Sequence, residues 1–110
     1  MAQRFPDKID QLLAETRSEL QRIYGTRLKE IILFGSYARG DFTDDSDVDI
    51  IVVLDHLQDI ATERERYLAT ISDISLKYDT VVSVIPYEAA AFHTRRSPLL
   101  LNVRQEGMAL

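Results

Sequence analysis

The sequence predicts a single α/β domain: a small mixed β-sheet flanked by helices. Three observations predict it. The chain has 110 residues, enough for one domain and too few for two lobes with a cleft between them. Apolar residues make up 45% of it and charged residues 28%, the proportions of a chain that folds around a core. Apolar positions also recur with two different periods, helical in some stretches and near-continuous in others, so helices alternate with covered strands.

The elements follow in order. Residues 6–24 form an amphipathic helix, with Ile9, Leu12, Leu13, Thr16, Leu20, Ile23 and Tyr24 at spacings of three and four. Pro6 suits its first turn, Asp7 and Asp10 suit its positive end, and Gly25 stops it. Leu28 to Phe34, rich in branched and aromatic residues, is a strand. Ser36 to Gly40 is long enough for one helical turn. Asp47 to Leu54 is the strongest strand, and its second half is apolar on both faces, which marks a central covered position. Helical spacing returns over 59–77 through Ile60, Tyr67, Leu68, Ile71 and Ile74. Asp79 to Pro86 is a second buried strand, and a short helix follows over Glu88–His93. Ser97-Pro98 opens a last helix through Glu106, which Gly107 ends. No repeat, linker or low-complexity tract interrupts this order, so residues 1–110 read as one domain.

Composition excludes several classes. The chain has no cysteine, so disulfides, thiol catalysis and Cys-ligated metal centres are ruled out. No apolar run is long enough to span a membrane, and MAQRFPDKID lacks the apolar segment of a signal peptide. A cytoplasmic location and no membrane partner are the expectations. The net charge of −5 is not spread evenly. Residues 40–63 hold eight carboxylates and no Lys or Arg, leaving thirteen cations against ten carboxylates, a net of +3, on the remainder. Direct nucleic-acid binding is not expected of that balance.

The informative part of the acidic block is Asp47 and Asp49. Side chains alternate along a strand, so the two point the same way, roughly 6–7 Å apart at Cα. Aspartate is depleted in strands, and two on one face repel. A hard divalent cation relieves the repulsion, since Mg²⁺ takes one or two protein carboxylates and leaves its other positions to water and phosphate oxygens. The plainer alternative is a solvated strand end with both aspartates facing water. An EF-hand is excluded, because a loop starting at Asp45 would carry Ile50 where glycine is required and His56 where glutamate is. Ten residues separate Asp47 from Gly35-Ser36, which follows a strand and opens a turn. Glycine there lets a phosphate approach the backbone, serine offers a hydroxyl, and Arg39 lies one turn on. The plainer alternative has Ser36 capping the turn and Arg39 pairing with the acidic loop. His56 and His93 read as surface or packing residues. Lys77, Arg95, Arg96 and Arg104 read as a solvated face, and Tyr24, Tyr67, Tyr78 and Phe92 as packing.

Gly35-Ser36, ten residues, then Asp47-Val48-Asp49 match the Gly-Ser-X10-Asp-X-Asp pattern of DNA polymerase β-like nucleotidyltransferases. The text GSYARGDFTDDSDVDIIVVLD resembles the minimal nucleotidyltransferases of that superfamily, closely over about residues 28–55 and more weakly to the NVRQEG ending. The resemblance implies a polymerase β-like nucleotidyltransferase fold. It implies that Gly35 and Ser36, with Arg39, hold the triphosphate of an ATP donor, and that Asp47 and Asp49 bind Mg²⁺, two ions in all. The family's third carboxylate, on a later strand, is best matched by Asp79; Asp73 and Glu88 match less well by position. The implied reaction is transfer of a nucleoside monophosphate, AMP from ATP, onto a hydroxyl. Minimal members often accompany a HEPN-domain ribonuclease toxin and act as antitoxins by adenylylating one of its tyrosines, so a HEPN toxin in a heteromeric complex is the implied partner. A non-catalytic module that neutralises its partner by contact is the alternative. A small-molecule acceptor ranks below both, since enzymes of that kind carry a substrate-binding domain.

Overall fold

Residues 5–110 are described by the computed structural model. Helix α1 (Asp7–Tyr24) starts one residue later than the periodicity predicts, because Pro6 has extended backbone and serves as the N-cap. A short 3-10 turn leads into β1 (Leu28–Phe34). The predicted helical turn is α2 (Ser36–Arg39), closed by Gly40. Strand β2 (Val48–Leu54) begins just after Asp47. In α3 (Ile60–Tyr78) the N-cap Asp59 accepts from the Thr62 N–H and from its hydroxyl, both at 2.8 Å. There follow β3 (Val82–Glu88), α4 (Ala89–Thr94) and α5 (Pro98–Glu106), the last capped by Ser97 with proline in its first turn, as predicted. A two-residue strand, β4 (Met108–Ala109), was not predicted. Two residues are too few to show a period.

The junction of α3 and β3 departs from the sequence reading. The helix runs on through Tyr78 and closes on Asp79, whose backbone is left-handed (φ 49°). The Thr80 N–H then bonds back to the Ser75 carbonyl at 3.1 Å. Aspartate is one of the few non-glycine residues that visit this conformation readily. The strand consequently starts at Val82 rather than Asp79.

The sheet order is β3-β2-β1-β4. β1 pairs antiparallel with β2, opposing Leu33 to Ile50 and Phe34 to Asp49, and pairs antiparallel with β4 on its other side. β2 and β3 are parallel, joined across by α3, with Val48 opposite Val82 and Asp49 opposite Ser83. Ile50, Val52 and Leu54 face one way, with Ile31 and Leu33 of β1, into a core closed by α1 and α3. Ile51 and Val53 face the other way, with Ile32, against Phe92 of α4 and Leu100 and Val103 of α5. β2 is thus buried on both faces, as its unbroken apolar run predicts. Each such side chain contributes about 1.5–3 kcal/mol by leaving water.

β3 lies at the edge of the sheet, and its outer rim is guarded. The Val48 N–H bonds the Val81 carbonyl at 2.9 Å, so the backbone groups of Val82, Val84 and Pro86 turn outward. Ser75 Oγ accepts from the Val82 N–H at 3.2 Å, the Tyr67 hydroxyl donates to the Val84 carbonyl at 3.0 Å, and Pro86 has no N–H. These devices discourage pairing with another strand. At the opposite end of β2, the buried Glu63 carboxylate pairs with Arg27 and, at 3.2 Å, with Arg66. The Tyr24 hydroxyl donates to the Glu63 carbonyl at 3.3 Å. This cluster ties the start of α3 to the α1–β1 corner.

Candidate active site

The antiparallel β1–β2 register builds the site. Phe34 opposes Asp49, so the residue after Phe34 lands against the Asp49 side chain. That residue is Gly35, with φ 79° and ψ −155°, a backbone region open to glycine almost alone. A β-carbon there would stand 2.5 Å from Asp49 Oδ2. Glycine thus serves twice, turning the chain and letting the carboxylate lie against bare backbone.

Gly35 itself is the N-cap of α2, and α2 has no side-chain cap hydrogen bond. Ser36 is therefore not the cap of this turn. Tyr37 is buried and stacks on Phe42 (centroids 4.6 Å apart, planes at 18°), with Phe5 against both rings. This trio pins α2 and the start of the acidic loop to the body of the domain. The loop itself is a tight turn in which Ser46 Oγ accepts from the Thr43 N–H at 2.8 Å. Asp41, Asp44 and Asp45 are exposed on it, a solvated approach to the site.

Asp47 is exposed and Asp49 half-buried, on the face of β2 shared with Ile51 and Val53 but beyond the cover of α5. Burial pushes the Asp49 carboxyl above its ordinary range, the Asp47 charge pushes it further, and Arg39 pulls it back. Arg39 ends α2. It is held by Asp41 at 3.2 Å and by Glu106, from the end of α5, at 3.3 Å.

Two carboxylates on one face, one forced up by desolvation and by its neighbour, against a bare glycine backbone, are a donor set that fits a hard cation such as Mg²⁺. Asp79 does not join them. It caps α3 in its left-handed turn, and among the described residues no three His, Asp or Glu side chains gather where they could hold a metal. Asp73 is an exposed residue of α3, and Glu88 accepts from the Leu57 N–H at 3.3 Å at the far end of β3. Beside the pair lie Ser83 of β3 and Val81, the residue just before that strand.

The remaining polar candidates have structural roles. Lys77 bonds Glu15 at 2.7 Å and joins α3 to α1. Arg104 donates to the carbonyls of Phe92 and Arg95, closing the end of α4. His93 lies 3.5 Å from Glu30, and His56 lies past the other end of β2. Sequence reasoning missed Glu106 and Ser83. Glu106 meets Arg39 across 67 positions of sequence, and Ser83 is placed by strand register; neither leaves a local signal. The groove between α3 and β3, lined by Tyr67, Ile71 and Val82, is separate from Asp47 and Asp49.

Comparison with known proteins defines the class. Residues 13–104 match the nucleotidyltransferase domain family, and the chain belongs to it. It is an enzyme of that kind. A Methanocaldococcus jannaschii protein provisionally named a protein adenylyltransferase is 34% identical over 106 residues, 92% of this chain and 96% of the relative. The protein adenylyltransferase MntA of Thermococcus cleftensis is 36% identical over 78 residues, covering 69% of this chain and 75% of that one. Among solved structures, a variant MntA–HpeT toxin–antitoxin complex superposes with a TM-score of 0.60 at 25% identity, over 88% of this chain and 70% of its counterpart.

Proposed function

We propose that this chain, read as one nucleotidyltransferase domain over residues 1–110, transfers AMP from ATP onto a hydroxyl of a HEPN-domain toxin and so acts as its antitoxin, in the cytoplasm. The observation that carries the reading is the seating of Asp49, with Asp47 beside it, against the bare backbone of Gly35. The names of the relatives and the toxin–antitoxin neighbour support the acceptor. Among the described residues no helix is long and apolar enough to cross a membrane.

The residues divide the work by chemistry. Asp47 and Asp49 would hold Mg²⁺, which would supply positive charge against the triphosphate and the pyrophosphate. Gly35 leaves room for a phosphate at the backbone. Ser36 donates its hydroxyl to a phosphate oxygen. Arg39, held by Asp41 and Glu106 and near enough for its charge to act on Asp49, exchanges a carboxylate partner for a phosphate edge, a planar two-pronged match. The acceptor oxygen forms a bond to the α-phosphorus as the bond to the bridging oxygen breaks. Pyrophosphate leaves, and the acceptor proton passes to water. Asp47 is exposed, so an acceptor protein can reach the pair from solvent.

The test is incubation with α-labelled ATP, Mg²⁺ and a HEPN-domain protein, taken from the gene adjoining that of this chain where that gene encodes one. Label on the partner with wild type, and none with Asp47→Ala/Asp49→Ala, is the expected result. Equal labelling by both overturns the reading. Neutralisation of the toxin in cells by Asp49→Asn would instead favour inhibition by contact.

A further inference from the structure

The parallel register of β2 and β3 fixes what lies beside the aspartate pair. Val48 opposes Val82 and Asp49 opposes Ser83, so Val81 falls beside Asp47. Neighbouring strands lie about 4.8 Å apart, and residues opposed in register put their side chains on the same face. The flank of the pair is therefore one apolar side chain, Val81, 58% exposed, and one hydroxyl, the half-buried Ser83. On the other side Asp49 is flanked by Phe34. The nearest acidic residue along this segment is Asp79, four positions before Ser83, off the strand in the left-handed cap of α3, and among the described residues it forms no three-carboxylate cluster with the pair.

We propose that Ser83, and not Asp79, is the third oxygen donor at the Asp47–Asp49 site, and that this chain anchors a single divalent cation with its own side chains. The inference rests on the proposed reading of that pair as a cation site. Charge decides the number. Two carboxylates balance one divalent cation. A second ion at the roughly 3.5–4 Å separation of two-metal sites adds two positive charges that a neutral hydroxyl cannot offset. Ser83 can orient a cation, directly or through a water, but adds no charge to hold another. A second cation then depends on the triphosphate and on water. No carboxylate of the flanking strand stands ready to take the acceptor proton, which agrees with its release to solvent.

Mn²⁺ titration followed by electron paramagnetic resonance tests this without turnover. Wild type should bind one Mn²⁺ in the absence of nucleotide. Asp79→Asn should bind it with unchanged affinity, since asparagine tolerates the same left-handed turn. Ser83→Ala should weaken binding roughly tenfold. Ser83→Asp should tighten it by a similar factor or add a second bound ion. A lost or weakened ion in Asp79→Asn, or wild-type affinity in both Ser83 variants, overturns the proposal. Binding that survives Asp47→Asn/Asp49→Asn, or no binding by wild type at millimolar Mn²⁺, overturns the cation-site reading itself. Asp79→Asn alters only an exposed turn, so the test stands even if Ser83→Asp does not fold.

Discussion

Gly35 and Asp49 occupy one another's space: a β-carbon on the first would lie 2.5 Å from a carboxylate oxygen of the second. The contact joins the two halves of the sequence signature, which are separated in the chain and brought together by the β1–β2 register. It also makes Gly35→Ala a sharp probe. The substitution has to push Asp49 aside and hold alanine at φ 79°. We expect a stability loss of about 1–3 kcal/mol and a fall in AMP transfer of roughly 100-fold, as for a small misplacement of reacting groups. Thermal melts and initial rates measure both. Unchanged rates would show that the close approach is not needed.

Asp49 predicts a pH dependence with a definite sign. Its carboxyl is raised in the folded state, by burial first and by Asp47 second, with Arg39 opposing. The folded protein thus holds this proton more tightly than the unfolded chain does. The stability from that proton is present below the ordinary carboxylate pKa of about 4 and is lost as pH rises through the raised Asp49 value. Without divalent cations, Asp49→Asn should therefore melt higher than wild type at neutral pH and lose that advantage in acid. Mg²⁺ should raise the melting temperature of wild type and leave the variant unmoved. A variant less stable than wild type at neutral pH in chelator contradicts the account.

Glu106 should act on the reaction through Arg39. The guanidinium is 44% exposed on the side chain and shared between Asp41 and Glu106. Partly exposed pairs of this kind are worth about 0.2–1 kcal/mol, or less than about fivefold. Glu106→Gln should raise the KM for ATP by about that factor with little change in kcat. Arg39→Ala should cost more, and the two effects should not add, since one acts through the other. Full additivity in the double variant would separate Glu106 from the site.

Glu63 is a residue of fold rather than of chemistry. It is fully buried with Arg27 and Arg66 as partners. Arg27 and Arg66 keep 22% and 43% of their side chains in solvent, so losing the carboxylate leaves them partly hydrated and costs about 1–3 kcal/mol. Glu63→Gln should lower the melting temperature by about 5–15 °C. An Arg27→Met/Glu63→Leu double variant should recover most of the loss. Calorimetry of the three proteins checks this, and equal melting temperatures would deny the pair any structural weight.

Much of this molecule was legible in its sequence, and for local reasons. The helix starts at Asp59 and Ser97-Pro98, the glycine stops and the doubly covered strand β2 all follow from interactions within a few residues. Gly35, Ser36, Asp47 and Asp49 were legible because the spacing of two short segments is itself a pattern. The end of α3 was not. Nothing local separates an aspartate that opens a strand from one that closes a helix in a left-handed turn, and the reading of Asp79 went with that boundary.

The sequence by itself determined the class of fold, the family and the aspartate pair, since each is carried by periods and spacings along the chain. Only the tertiary structure decided what stands around that pair. Strand register put Ser83 beside Asp49, and the packing of α5 brought Glu106 to Arg39. It also set Gly107 where a β-carbon would meet the Val103 carbonyl at 2.5 Å and Ile32 at 2.8 Å, so that the chain turns tightly enough to add β4. The reason is physical. Register and packing arise from contacts between segments far apart in sequence, where a shift of one residue reverses which side chains meet.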